Sequence, residues 1–160
     1  MLSELQQREV WEVWLSAEIR ADYFADLALV FDRKQAVATW VALIASSGAI
    51  LTSVTQLLPE AKWAPPVLAA VASFYSLTSQ NQKKASECRD LHFRWNKLSA
   101  EFRALWDNMY AHDAPERLAK LNEKRAEVSK ASAALPYQRR RMLRWQRLVE
   151  EQHAYLQAHA

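Results

Sequence analysis

The chain contains, at residues 36–58, the apolar stretch AVATWVALIASSGAILTSVTQLL, which includes no Asp, Glu, Lys or Arg. A second charge-free stretch, WAPPVLAAVASFYSLTSQNQ, follows at residues 63–82. About 20 predominantly apolar residues in a helix are enough to cross the hydrocarbon core of a bilayer, whereas a soluble helix normally carries charges on its exposed face. The two stretches therefore predict a two-helix transmembrane hairpin. A buried hairpin inside a soluble helical bundle is the alternative.

The residues that flank the two stretches predict an orientation. Arg33 and Lys34 precede the first stretch and Lys83 and Lys84 follow the second, while the connection at 59–62 contains one Lys beside one Glu. Because positive residues favour the cytoplasmic side of a membrane, we expect both termini to be cytoplasmic. The predicted parts are an amphipathic cytosolic helix at 1–34, the hairpin at 35–82 and a cytosolic helical region at 83–160.

The composition of the whole chain favours helices. Gly48 is the single glycine among 160 residues. Phosphate-cradling loops, dinucleotide fingerprints and nucleophile elbows need several glycines at fixed spacing, so these sites are excluded. The shortage of glycine also disfavours tight hairpin turns, and the sequence predicts an all-α fold. The single cysteine, Cys88, has no partner for an intramolecular disulfide, which indicates a reducing environment.

Amphipathic patterns lie on both sides of the predicted hairpin. Ser3 and Gln6 form a capping-box pattern, and Asp113 with Pro115 marks the start of a later helix that Leu135-Pro136 should end. Apolar residues recur at steps of three and four, first at Val10, Trp14, Ala17, Ala21, Phe24, Ala28 and Phe31, and then at Cys88, Leu91, Trp95, Leu98, Phe102, Leu105 and Met109. Shorter stripes follow at Leu118, Leu121 and Val128 and, in a helix predicted from Tyr137 to about Gln157, at Leu148, Val149, Tyr155 and Leu156.

Small and polar side chains within the apolar stretches are candidates for lining a pore. In lipid, small residues let helices approach closely and hydroxyls bond between them, so helix packing is the simpler interpretation. A polar pore is the functional one, and it would require an oligomer because one hairpin cannot enclose water. The candidates are Ser46, Gly48, Thr52, Ser53, Gln56, Ser73 and Ser76.

A basic cluster near the carboxy terminus is the second candidate site. Its members are Arg139, Arg140, Arg141, Arg144 and Arg147, of which Arg140, Arg144 and Arg147 share one helical face by their spacing. Such a face suits anionic lipid headgroups, a nucleotide-type phosphate or an acidic partner, and a merely solvated face is the alternative. No recognised nucleic-acid-binding motif accompanies the cluster, so we expect no direct binding of nucleic acid.

Catalytic and metal-binding patterns do not emerge from the sequence. The four histidines have no metal-ligand spacing, and one cysteine cannot complete a thiolate site. The remaining carboxylates are scattered among basic residues. We therefore expect no enzyme activity, no cofactor and no metal. Residues 1–34 carry a net negative charge and residues 83–160 a net positive charge, which favours docking of these two parts within one subunit or between subunits.

Four consecutive parts of the chain share a pattern of hydropathy and spacing. They are the lead-in EIRADYFADLALVFDRKQ, the first apolar stretch with Trp40, the short connection, and the helix NQKKASECRDLHFRWNKLSAEFRALW. Together they resemble the SLATT family, the SMODS and SLOG-associating two-transmembrane effectors of bacterial conflict systems. The resemblance covers about residues 10–110. It implies an inner-membrane effector that partners a nucleotide-second-messenger synthase or another sensor and perforates the membrane of an infected cell. It implies no catalytic residue.

Three functional hypotheses follow from the sequence. The first is an oligomeric, pore-forming or membrane-disrupting effector of an antiviral defence system, which acts by abortive infection and whose cytosolic helices hold it inactive. The second is a non-conducting membrane anchor or scaffold, and the third is a soluble helical-bundle adaptor.

Overall fold

The computed structural model describes residues 1–46, 67, 70–71, 73–75 and 79–158. Within these ranges the chain forms helices and no strands, which confirms the predicted all-α fold. The four long helices are α1 (Glu4–Ser46), α2 (Asn81–Asp107), α3 (Ala114–Ser132) and α4 (Arg139–Ala158).

The chain divides into two compact units. The first, which we call the core unit, comprises Met1–Leu27 and Glu87–Ala160. The second, the apolar unit, comprises Ala28–Ser86 and includes both charge-free stretches. The predicted boundaries at residues 34 and 82 concern insertion into a membrane and stay predictions.

Helix α1 begins at the predicted capping box. The backbone N–H of Gln6 donates to Ser3 Oγ at 3.3 Å, and the backbone N–H of Ser3 donates to Gln6 Oε1 at 2.9 Å. This reciprocal pair satisfies N–H groups that the first turn of a helix leaves without intrahelical partners. The predicted stripe is buried except for the half-buried Trp14, and Val13, Tyr23 and Leu27 are buried beside it.

Helix α2 supplies Trp95, the largest of the fully buried side chains among the described residues. The predicted stripe from Cys88 to Leu105 is buried at every position, whereas Met109 lies beyond the helix and is half-buried. Trp95 donates from its indole Nε1 to Ser132 Oγ at 2.9 Å, and the Arg20 guanidinium lies 4.8 Å from the centre of its ring. This tryptophan therefore joins α1, α2 and α3.

Helix α3 begins as predicted and ends earlier. Leu118, Leu121 and Val128 are buried. Asp113 occupies the N-cap position, but its side chain makes no capping hydrogen bond. The helix ends at Ser132 rather than at Leu135, and the chain continues in turns in which Ala134 and Leu135 donate to carbonyls three residues earlier.

Helix α4 confirms the predicted burial of Val149 but not that of Leu148 and Tyr155, and the side chain of Leu156 lies outside the described residues. It begins at Arg139 rather than at Tyr137, and Leu148 and Tyr155 are exposed. Val149 is the only fully buried residue among its described side chains. His153, four residues further on, reaches Glu18 of α1 with Nε2 2.8 Å from Oε2. The contact between α4 and α1 thus includes polar side chains that the predicted apolar stripe did not contain.

The acidic and basic parts of the core unit dock as their charges predict. Besides the His153 contact, Asn122 Nδ2 donates to Glu9 Oε1 at 3.0 Å. The rings of Trp11 and Trp14 both meet the His153 ring edge-on, at centroid distances of 5.6 and 5.2 Å. These contacts join the two parts within one chain, and docking between subunits stays a prediction.

The apolar unit has a break in its helical backbone just before α2. Gln80 has a φ of 49°, which lies in the left-handed region that residues other than glycine rarely adopt. The Lys84 ammonium donates to the Ser79 carbonyl at 2.9 Å and so stabilises the break. Among the residues that the structure describes, no helix combines the length and apolar character required to cross a membrane.

Candidate functional site

Five side chains surround a groove of about 550 Å³ at the beginning of α4, which we call the arginine groove. Its lining consists of Gln138, Arg139, Arg140, Arg141 and Arg144. Four of the five arginines predicted as an anion site are therefore brought together. Arg147 is exposed and does not line the groove.

Two side chains of α1 hold the groove in place. Arg141 Nη1 donates to Asp26 Oδ2 at 2.6 Å, in a pair that is partly shielded from solvent. The Tyr23 hydroxyl donates to the Pro136 carbonyl at 3.2 Å and accepts the backbone N–H of Gln138 at 3.0 Å. Burial raises the pKa of Tyr23, and the hydrogen bond from the backbone of Gln138 opposes this change.

The other guanidinium groups of the groove are not neutralised. In the described ranges, Arg139, Arg140 and Arg144 have no carboxylate partner, and Arg144 instead lies 5.8 Å from the centre of its neighbouring Trp145 ring. Arg140 and Arg144 are separated by one helical turn, where two like charges destabilise a helix by about 0.2–0.5 kcal/mol. The groove thus concentrates positive charge that an anion would relieve.

Two of the seven pore-lining candidates lie among the described residues. Ser73 is helical and exposed, and Ser46 is the last residue of α1. Gly48, Thr52, Ser53, Gln56 and Ser76 lie outside the described residues.

The described part of the apolar unit exposes large apolar side chains. Nine of them fall within the two charge-free stretches, at Val37, Trp40, Val41, Leu43, Ile44, Val67, Val71, Phe74 and Tyr75. A groove of about 540 Å³ has apolar walls that include Val37, Val41 and Val71, and Arg33 and Lys34 also line it. Apolar walls beside two cations suit an amphipathic environment.

Histidines and carboxylates of the described residues form no group of three or more that could hold a metal ion. His92 Nδ1 lies 2.8 Å from the Ala21 carbonyl, which indicates that this ring joins α2 to α1. Burial raises the pKa of Asp22, with a further contribution from Glu18, while His92 opposes this change.

Cys88 is expected to be unreactive in the folded protein. Burial in the core unit raises the pKa of its thiol from 9.0 to about 11, so only about one thiol in a thousand is ionised at pH 8, and the thiolate is the nucleophile. Alkylation by iodoacetamide at pH 8 should be slow in the native protein and rapid in urea. Rapid labelling without urea would show that the thiol is accessible.

The same shift has a consequence for stability. The folded state favours the neutral thiol, so its contribution to stability is complete below pH 9 and declines as the pH rises through about 11.

The residues of α1 that hold the groove in place were not identified by sequence patterns. Asp26 and Tyr23 lie on α1, more than a hundred positions from their partners Arg141 and Gln138. The opposite net charges of the two parts indicated docking but not which pairs would form.

The chain matches no protein-family model, no curated protein and no solved structure.

Proposed function

We propose that the protein is an oligomeric membrane effector that forms pores in a bilayer or disrupts it. Residues 35–82 form a two-helix transmembrane hairpin, and both termini lie in the cytoplasm at the inner membrane. The helices of the core unit hold the effector inactive until a nucleotide-signalling or other sensor partner acts. The activity belongs to a bacterial antiviral defence system.

The exposed apolar side chains of the apolar unit carry this proposal. Soluble monomeric proteins rarely expose contiguous apolar patches larger than a few hundred Å². The described part of the two charge-free stretches exposes nine large apolar side chains, including Trp40 at 64% and Phe74 at 70%. Lipid or another copy of the hairpin would cover these side chains, whereas a soluble adaptor would leave them in water.

The charges beside the apolar groove support the orientation. Arg33 and Lys34 line this groove together with valine and tyrosine side chains. Such cations favour the cytoplasmic headgroup region while the adjacent apolar walls favour the hydrocarbon. The resemblance of residues 10–110 to SLATT proteins supports the assignment of an effector role and of a sensor partner.

Expression of the full chain with the product of its neighbouring gene tests this function. We expect the protein to remain in the membrane fraction after a carbonate wash and to collapse the membrane potential, followed with a potential-sensitive dye. The matched control replaces residues 36–82 with an unrelated two-span hairpin and should insert without collapse.

Three results would contradict the proposal. A protein that stays in the supernatant without detergent has no spans. An unchanged potential with the partner present excludes an effector that permeabilises the membrane. Equal function of the hairpin replacement would indicate a membrane anchor or scaffold.

A further inference from the structure

The arginine groove offers cationic donors in a fixed arrangement. Arg139, Arg140 and Arg144 line one cavity without carboxylate partners in the described part of the chain. A guanidinium presents several N–H donors in a planar fork that matches the oxygens of a phosphate group, often through two parallel hydrogen bonds. Three such groups around one cavity exceed what a single carboxylate ligand would need.

Arg141 plays a different part in the same groove. Its guanidinium is already paired with Asp26, and the Tyr23 hydroxyl bonds both sides of the turn before α4. The first turn of α4 is therefore held against α1 before any ligand binds. Ordering of a site in advance lowers the entropic cost of binding.

We propose that the arginine groove is a binding site for a phosphate group, with Arg139, Arg140 and Arg144 as the binding residues and Arg141 as a positioning residue. The cavity of about 550 Å³ accommodates a phosphorylated small molecule or the headgroup of an anionic lipid. Binding relieves the repulsion between Arg140 and Arg144. The site lies wholly in the core unit, so it does not depend on the proposed membrane activity.

Titration of inorganic pyrophosphate into the purified full chain in non-ionic detergent tests the site. We expect calorimetry to detect binding that weakens as salt increases. Arg140→Gln with Arg144→Gln should weaken it by about tenfold or more, which corresponds to ~1.4 kcal/mol. Arg147→Gln is the matched control, because it removes a charge from the same helix outside the groove, and it should change the affinity by less than about twofold.

A charge-preserving variant separates a built site from a charged surface. Arg140→Lys with Arg144→Lys keeps the net charge but loses the forks, and we expect an affinity loss of about threefold or more. All substituted residues are exposed, so the helical circular dichroism should remain unchanged. Equal binding by the lysine variant, or equal weakening by Arg147→Gln, would overturn the proposal.

Competition distinguishes the two sources of phosphate. Displacement of pyrophosphate by a short-chain phosphatidylglycerol, but not by its phosphatidylcholine counterpart, would identify a lipid headgroup. No displacement by either would leave a soluble phosphorylated molecule as the ligand. Preferential binding of duplex DNA that the lysine variant retains would overturn the proposal in favour of a nucleic-acid surface.

Discussion

Replacement of Trp95 with alanine is expected to destabilise the core unit by about 3–5 kcal/mol. The side chain is 1% exposed and is among the largest that are fully buried. Its removal leaves a cavity, deletes the hydrogen bond to Ser132 and takes away the ring beside Arg20. Because a whole domain is stable by only about 5–15 kcal/mol, the loss should be obvious in urea unfolding followed by circular dichroism.

Trp40→Ala provides a control of the same residue type. Trp40 is 64% exposed, so its truncation should alter the stability of the core unit by less than about 0.5 kcal/mol. Equal effects of the two substitutions would contradict the assignment of Trp95 to the centre of the packing between α1, α2 and α3.

Leu43→Lys is expected to reduce the membrane-bound fraction of the protein by at least about tenfold. Leu43 is 56% exposed on α1 and lies inside the first predicted span. A lysine near the centre of a transmembrane helix costs about 2.5–3.5 kcal/mol, and a factor of ten requires about 1.4 kcal/mol. Quantitative fractionation after a carbonate wash measures the change.

Leu5→Lys is the matched control, because the same substitution is made at a leucine that is 81% exposed in the core unit. It should leave the distribution between membrane and supernatant as in the unaltered protein. If Leu43→Lys behaves like Leu5→Lys, the exposed face of α1 does not enter lipid, and the soluble adaptor becomes the better hypothesis.

Periodicity predicted the parts of the fold in which apolar burial decides the structure. The stripe from Cys88 to Leu105 and the capping box at Ser3 and Gln6 were both readable from spacing. Burial of one helical face has a simple signature at steps of three and four, and a capping box has fixed residue types. The structure confirms both.

Sequence patterns did not predict the polar contacts between distant helices. Arg141 and His153 of α4 pair with Asp26 and Glu18 of α1, whereas Leu148 and Tyr155, which the pattern placed on the packed side, are exposed. Long-range pairs of this kind have no local spacing. The sequence also did not predict the break at Gln80, because residues other than glycine seldom adopt a positive φ.

The sequence predicted which residues form the candidate site but not how they are arranged in space. The arginine run was evident from the sequence, but the separation of Arg147 from the groove and the pairing of Arg141 with Asp26 depend on the docking of α4. The pore-lining assignment and the two spans stay predictions, because most of their residues lie outside the described ranges.

The sparse apolar packing of α4 implies uneven cooperativity within the core unit. Val149 is its one fully buried described side chain, whereas α2 buries a complete stripe. Segments with few buried contacts open at a lower free energy than the global unfolding of a domain. We therefore expect the amide hydrogens of α4 beyond Arg141 to exchange through a local opening of lower free energy than those of α2.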